Sequence, residues 1–160
     1  MGVTGFEATV REHEGRLHRL TWLLTLSRED AADITQETFA RAWRERETLA
    51  THPDPAAWLR RVAVNLCWDR SRRRNVRRRR DPLLATDPTT VLDETDLDLH
   101  RAIASLSDRQ RQIVVLRYWE DLDLRSCADE MGISLGSAKK HLARAHAALA
   151  LSPDLSEDLR

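Results

Sequence analysis

Apolar residues recur at helical spacing through most of the chain, and no β-branched run interrupts them. The first predicted helix spans Phe6 to about Leu26, with Leu17, Leu20 and Leu24 on its inner side. The second runs from Glu29 to about Arg46 around a stripe of Ile34, Thr38, Phe39, Ala42 and Trp43. His52-Pro-Asp-Pro55 then breaks the pattern. Asp54 followed by Pro55 is a strong helix start, a cap and then a residue whose fixed φ suits the first turn. The third helix carries Trp58, Leu59, Val62, Ala63 and Leu66 on one face and continues into a run of arginines. From residue 81 to about 94, Pro82, Pro88 and scattered Asp and Thr show no period, which predicts a linker. A second helical unit begins near Thr95. Ser107 followed by Gln110 forms a capping-box pattern ahead of Ile113, Val114, Leu116 and Trp119. Asp123 caps a short helix that leads to Gly132, a long last helix ends near Ala150, and Ser152-Pro153 opens a tail.

The stretch from Ala128 to Leu149 is the most informative. Ala128 and Gly132 are four apart; small residues let a following helix cross closely, and Gly at a helix end tolerates a left-handed backbone. Ser134 is a suitable N-cap for the next helix. On that helix Ala138, Leu142, Ala145 and Leu149 share one face, and Ser137, Lys140, His141 and Arg144 share the opposite one. The pattern predicts a helix-turn-helix able to enter a DNA major groove. The expected fold is all-α: two small helical domains, 1–80 and 99–152, joined by a flexible acidic linker at 81–98 and followed by a tail at 153–160.

The formal net charge of the 160 residues is zero, but the charges are segregated. Between Arg60 and Arg80 stand ten arginines against one acid, Asp69; Asp81 to Leu99 holds six acids and no Lys or Arg. Such blocks point to a polyanion partner for the first stretch. Cys67 and Cys127 are far apart among apolar positions, so buried reduced thiols are expected. No secretory leader or membrane-length apolar run is visible, which implies a cytoplasmic chain without direct membrane insertion. The six histidines are dispersed, and neither a phosphate loop nor a nucleophile elbow is present. The expectation is therefore no metal, no cofactor and no catalytic site.

Three surfaces could carry function. Asp33, Gln36, Glu37 and Arg41 lie on the outer face of the second helix, where spacing alone gives no more than a solvated face with an i,i+4 ion pair. Arg61, Asn65, Trp68, Asp69 and Arg72 share the polar face of the third helix. Arg and Asn can bond phosphates and base edges, and an aromatic ring can stack on an unpaired base. Trp68 is equally compatible with packing inside the protein. The third surface is Ser137, Lys139, Lys140, His141 and Arg144 on the last helix.

Ala32-Asp-Ile-Thr-Gln-Glu-Thr-Phe-Ala-Arg-Ala-Trp43, Pro55-Ala-Ala-Trp-Leu-Arg-Arg-Val-Ala-Val-Asn65 and the arginine run resemble the second region of bacterial sigma-70 factors. Leu106-Ser-Asp-Arg-Gln-Arg-Gln-Ile-Val-Val-Leu-Arg-Tyr-Trp-Glu120 through Leu149 is similar to their fourth region. Two such regions with a short spacer resemble the extracytoplasmic-function (ECF) group, and the likeness covers roughly Phe6 to Ala150.

The resemblance implies an initiation subunit that binds core RNA polymerase, recognises the −10 and −35 promoter elements and nucleates strand opening. It implies that Asp33, Gln36, Glu37 and Arg41 bind the β′ clamp helices, that the fourth region meets the β flap, and that the loop Leu49 to Asp54 holds a flipped base. Arg60, Arg61, Asn65, Trp68, Arg72 and Arg73 become −10 contacts; Ser137, Lys139, Lys140, His141 and Arg144 become −35 contacts. The acidic linker would thread the RNA-exit path, and an anti-sigma factor would cover these faces in an off state. Lys140-His141 stands where the family more often has a small residue and an arginine. Two other readings stay open on the residues: a stand-alone helix-turn-helix regulator of the response-regulator output type, and an RNA-binding adaptor using the arginine run.

Overall fold

The computed structural model describes residues 2–81 and 94–150, with side chains from residue 98 onward in the second stretch. All regular structure among the described residues is helical, and the chain divides into two compact units, 1–87 and 88–160. Most of the 81–98 linker and the 153–160 tail lie outside the described residues.

The first unit contains α1 (Val3–Thr25), α2 (Arg28–Arg44), α3 (Arg46–Thr51) and α4 (Pro55–Arg80). Leu17, Leu20 and Leu23 of α1, Ile34 and Ala42 of α2, Leu49 of α3, and Leu59, Ala63 and Val64 of α4 form the buried interior; α1 packs on α2 and α4, and α3 packs on the same two helices. Buried hydroxyls are satisfied within it: Thr21 Oγ1 donates to Ala31 O at 3.2 Å and lies 3.1 Å from Thr35 Oγ1. This polar seam fixes the register of α1 against α2 without leaving these hydroxyls unpaired in the core. Leu26 ends α1 in the left-handed region at φ 56° and is buried. Burying its side chain, worth about 1.5–3 kcal/mol, offsets a backbone cost of about 1–2 kcal/mol. Asp54 Oδ1 accepts from Ala57 N at 2.9 Å, so the Asp-Pro start of α4 forms as the sequence predicts.

Three features of this unit differ from the sequence reading. The second helix stops at Arg44, and α3 follows where a loop was expected; Leu49 is buried, and its burial draws 49–51 out of the predicted loop Leu49 to Asp54 into the helix. Trp43 is not part of the α2 core stripe. It is 37% exposed, meets Phe6 edge-on at 5.0 Å between ring centroids, and carries Arg46 over its face at 4.7 Å.

The second unit contains α5 (Glu94–Ser105), α6 (Asp108–Val114), a π-helical turn at Val115–Trp119, α7 (Leu124–Met131) and α8 (Leu135–Ala150). The start of α5 at Glu94 takes the last residues of the expected linker into a helix. Both halves of the Ser107/Gln110 capping box are present, and Asp123 Oδ1 caps α7 through Ser126 N at 2.8 Å. Buried Arg111 donates to Ile103 O and Leu106 O, tying the end of α5 to α6, with Asp108 3.5 Å away to balance its charge. Trp119 was expected to share the apolar stripe of α6. It is 44% exposed instead, because the wider π turn, closed by Glu120 N to Val115 O, changes the helical phase and swings it outward. Gly132 caps α7 at φ 62°. No atom lies within 4 Å of where its Cβ would be, so only the backbone angle calls for glycine.

Candidate functional site

On α2, Asp33, Gln36 and Arg41 are exposed and Glu37 is half-buried, while Ile34 and Thr38 on the other side are sunk in the core. Glu37 Oε1 accepts from Arg41 Nε at 2.9 Å and from Arg44 Nη2 at 3.1 Å. The hydrogen bond from Arg41, with the charge of Arg44 beside it, holds this carboxyl below the usual range. Asp33 lies 3.9 Å from Arg70 of α4, whose guanidinium is bound at 2.6 Å by Asp30. Arg44 and Arg70 were not among the residues predicted for this face. Arg44 was findable, since i,i+7 places it two turns from Glu37; Arg70 was not, because helical spacing on α2 says nothing about a side chain arriving from α4.

Between α2 and α4 lies a cleft of about 280 Å³, floored by Ile34 and Leu66 and rimmed by Asp33, Glu37, Arg41, Asp69, Arg70 and Arg73. On α4, Arg61, Asn65 and Arg72 are exposed and Trp68 is half-buried. At about 100° per residue these four fall on one stripe. Arg60 and Arg73 fall on either side of it: Arg60 is half-buried, and Arg73 turns toward the α2 cleft. Further along, Asp69, Arg72, Arg73, Val76, Arg77 and Arg80 surround a second depression of about 490 Å³.

On α8, Lys139, Lys140 and Arg144 are exposed, while Ala138, Ala145 and Leu149 are buried. The last two join Ala102, Leu106 and Val114 in the core. The side chain of Ser134 accepts from Ser137 N at 3.1 Å and donates to Ser137 Oγ at 3.0 Å, so Ser134 caps the helix start and Ser137 accepts without giving up its own hydroxyl hydrogen. His141 is half-buried. Partial burial, then the charges of Arg109 and Arg144, push its imidazole below the usual range. Arg109, absent from the predicted set, is fixed by bonds to Met131 O at 3.2 Å and Gln112 Oε1 at 3.0 Å. It braces α6 against the end of α7. At the far end of α8, His146 Nε2 lies 2.6 Å from the Tyr118 hydroxyl.

Both thiols are buried and unpaired with each other. Burial pushes Cys127 up to about 11 and raises Cys67 as well, so neither is poised as a nucleophile. Among the described residues no cluster of three His, Cys, Asp or Glu could hold a metal ion. No described helix is long and apolar enough to cross a membrane.

The Sigma-70 region 2 family matches residues 9–77, and the Sigma-70 region 4 family matches residues 96–149. The chain is 32% identical over 148 residues to the ECF RNA polymerase sigma factor SigM of Mycobacterium tuberculosis, covering 91% of this chain and 75% of the relative. It is 32% identical over 160 residues to the RNA polymerase sigma-E factor of Streptomyces coelicolor, covering 92% and 85%. In fold it is similar to the sigma factor RpoE of Bartonella quintana, solved in complex with the anti-sigma factor NepR: TM-score 0.79, 20% identity, 97% of this chain and 100% of that one. The two family matches fall in the two units in order, first the unit with the α2–α4 cleft and then the helix-turn-helix; the chain belongs to the ECF group of the sigma-70 family, the sigma factors that direct RNA polymerase to promoters.

Proposed function

We propose that this sigma factor holds core RNA polymerase through the outer face of α2, with Asp33, Gln36, Glu37 and Arg41 against the β′ clamp helices, while its second unit meets the β flap. Arg61, Asn65, Trp68 and Arg72 of α4, flanked by Arg60 and Arg73, grip the melted −10 strand. Ser137, Lys139, Lys140, His141 and Arg144 of α8 enter the −35 major groove. The domains that do this are 1–80 and 99–152, and the acidic residues 81–98 span the RNA-exit path between them. The chain performs no chemistry of its own and works in the cytoplasm, where the polymerase is. Strand opening is driven by binding, since each stacked base returns about 1–3 kcal/mol against an unpairing cost of a few kcal/mol.

The observation that carries this reading is the two-sidedness of the assigned helices. α2, α4 and α8 each sink one side in a core and present charged side chains on the other. An anti-sigma partner is proposed on the same grounds, because one polymerase-binding face and two DNA-binding faces need cover when the factor is idle; the similar Bartonella protein was solved with such a partner.

The test is in vitro transcription with purified core enzyme over a genomic fragment library, alongside a core-binding measurement on Asp33→Ala/Glu37→Ala. The double variant keeps its fold and binds core at least about tenfold more weakly, in line with charge pairs at protein interfaces. Unchanged core affinity removes the α2 assignment. Tight, specific promoter binding without polymerase would instead favour the stand-alone regulator.

A further inference from the structure

Of the residues assigned to the −10 strand, Arg73 is the one that lines the α2–α4 cleft. It follows Arg72 directly and so sits about 100° round the helix from it, off the stripe formed by Arg61, Asn65, Trp68 and Arg72. It stands on the ridge between two depressions: it borders the arginine-rich one with Asp69 and Arg72, and it lines the α2–α4 cleft together with Asp33, Glu37 and Asp69. Three carboxylates face three guanidinium groups there, Arg41, Arg70 and Arg73, above an apolar floor of Ile34, which is 2% exposed, and half-buried Leu66. A cleft with balanced charge and an apolar floor is a poor seat for a phosphate chain, because each carboxylate on the rim repels it.

The pairing within the cleft is uneven. Glu37 is bound by Arg41 and Arg44, and Asp30 binds Arg70. Among the described residues, Asp69 and Arg73 form no ion pair. They are exposed neighbours one turn apart on α4, of opposite sign, facing the same opening. A partner that brings one cation and one anion at similar spacing would engage both and place an apolar side chain on Ile34 and Leu66.

We propose that the polymerase-docking surface is this whole two-helix cleft, not the outer face of α2 alone. Asp69 and Arg73 of α4 are its second wall, and the occupant is a helical polymerase segment that carries both signs of charge and one bulky apolar side chain. The inference rests on the α2 assignment made above, and it moves Arg73 from the DNA-contacting set to the protein-contacting set. Charge complementarity and continuity with the α2 face select a protein occupant over a nucleic acid.

The experiment uses the full chain and purified core RNA polymerase, with Arg73→Ala, Asp69→Asn, Arg72→Ala and the Asp33→Ala/Glu37→Ala double variant. Two affinities are read: that of each variant for core, and that of the fully assembled holoenzyme for a short labelled oligothymidine. Thermal unfolding checks that the substitutions leave the fold intact. Arg73→Ala and Asp69→Asn are expected to weaken core binding about fivefold to tenfold and to leave oligothymidine binding within about twofold. Arg72→Ala is expected to do the reverse. If Arg73→Ala lowers oligothymidine binding, with or without an effect on core, Arg73 is a DNA contact and the proposal is overturned. If neither affinity changes for Arg73→Ala and Asp69→Asn, the second wall is solvent-facing only and the proposal is equally overturned. Failure of the double variant to weaken core binding sinks the α2 reading itself, whereas a weakened double variant beside unchanged Arg73→Ala and Asp69→Asn sinks this extension alone.

Discussion

The two helices assigned to DNA are built on different plans. α4 is seated by Leu59 and Val64, which are almost wholly buried, with Ala63 beside them, and its exposed surface beyond Ser71 is arginine on nearly every side. α8 is seated through its middle by alanines, Ala138 and Ala145, both at 0% exposure, with Leu149 in the core near its end, and confines its cations to Lys139, Lys140 and Arg144. A charge density that surrounds a helix attracts a backbone whatever its sequence. A few side chains on a helix whose distance from its neighbours is set by alanine packing can address particular base edges. On the proposed assignment, grip and reading are divided between the two units.

The contrast in seating can be broken directly. Leu59→Ala leaves a cavity under α4 and is expected to cost about 2–5 kcal/mol, measured by denaturant unfolding of the first unit. A loss below about 1 kcal/mol would mean that α4 is not anchored there. For α8 the damaging change is enlargement: Ala145→Leu forces the helix off Ala102, Leu106 and Val114, with an expected cost of about 1–3 kcal/mol and a loss of −35 binding while α4-dependent strand binding persists. Wild-type −35 affinity in that variant would show that close approach does not set the reading position.

The contrast in charge is sharpened by salt. Replacing Arg77, Arg78, Arg79 and Arg80 together by Ala is expected to flatten the dependence of log affinity on log salt for non-specific duplex DNA. Each phosphate that the variant no longer neutralises takes about 0.9 off the slope. Arg144→Ala is expected to change the slope by no more than a single phosphate's share while altering promoter ranking. An unchanged slope in the fourfold variant would leave the arginine end without a nucleic-acid role.

Much of the fold could be read locally. The Ser107/Gln110 box, the Asp123 cap, the Asp54-Pro55 start and the left-handed Gly132 each depend on a few adjacent residues, and the inner stripe of α8 follows from its period alone. What escaped reading depended on packing between elements. Trp43 and Trp119 fit helical stripes by spacing, but a ring contact with Phe6 in one case and a π turn in the other turn them outward. α3 is six residues long with a single buried side chain, too short to show a period. At the proposed site, spacing supplied the Glu37–Arg41 pair but left the purpose of that face open, and only the resemblance gave it one. Arg70 and Arg109 reach their partners from another helix, so no pattern along α2 or α8 announces them.

His141 offers the finest test, because it sits on the basic face of α8, and of the side chains assigned to that face it is the one whose charge changes near neutral pH. Partial burial and the neighbouring Arg109 and Arg144 hold its imidazole below the ordinary range, which favours the neutral form in the free chain. Phosphates favour the charged form, so DNA raises its pKa and binding takes up a proton. Affinity for a −35 duplex should therefore rise as pH falls from about 7.5 toward 6, by roughly twofold to threefold relative to His141→Gln. Stability runs the other way: the unfolded imidazole, near its usual 6.5, is protonated before the folded one, so this group's contribution is complete above that pH and is lost as pH falls toward the folded value. The two trends oppose each other in the wild type and vanish together in His141→Gln. A ratio of wild-type to His141→Gln affinity that stays flat with pH would place this imidazole away from the duplex, and would shift the reading of the −35 groove onto Lys140 and Arg144.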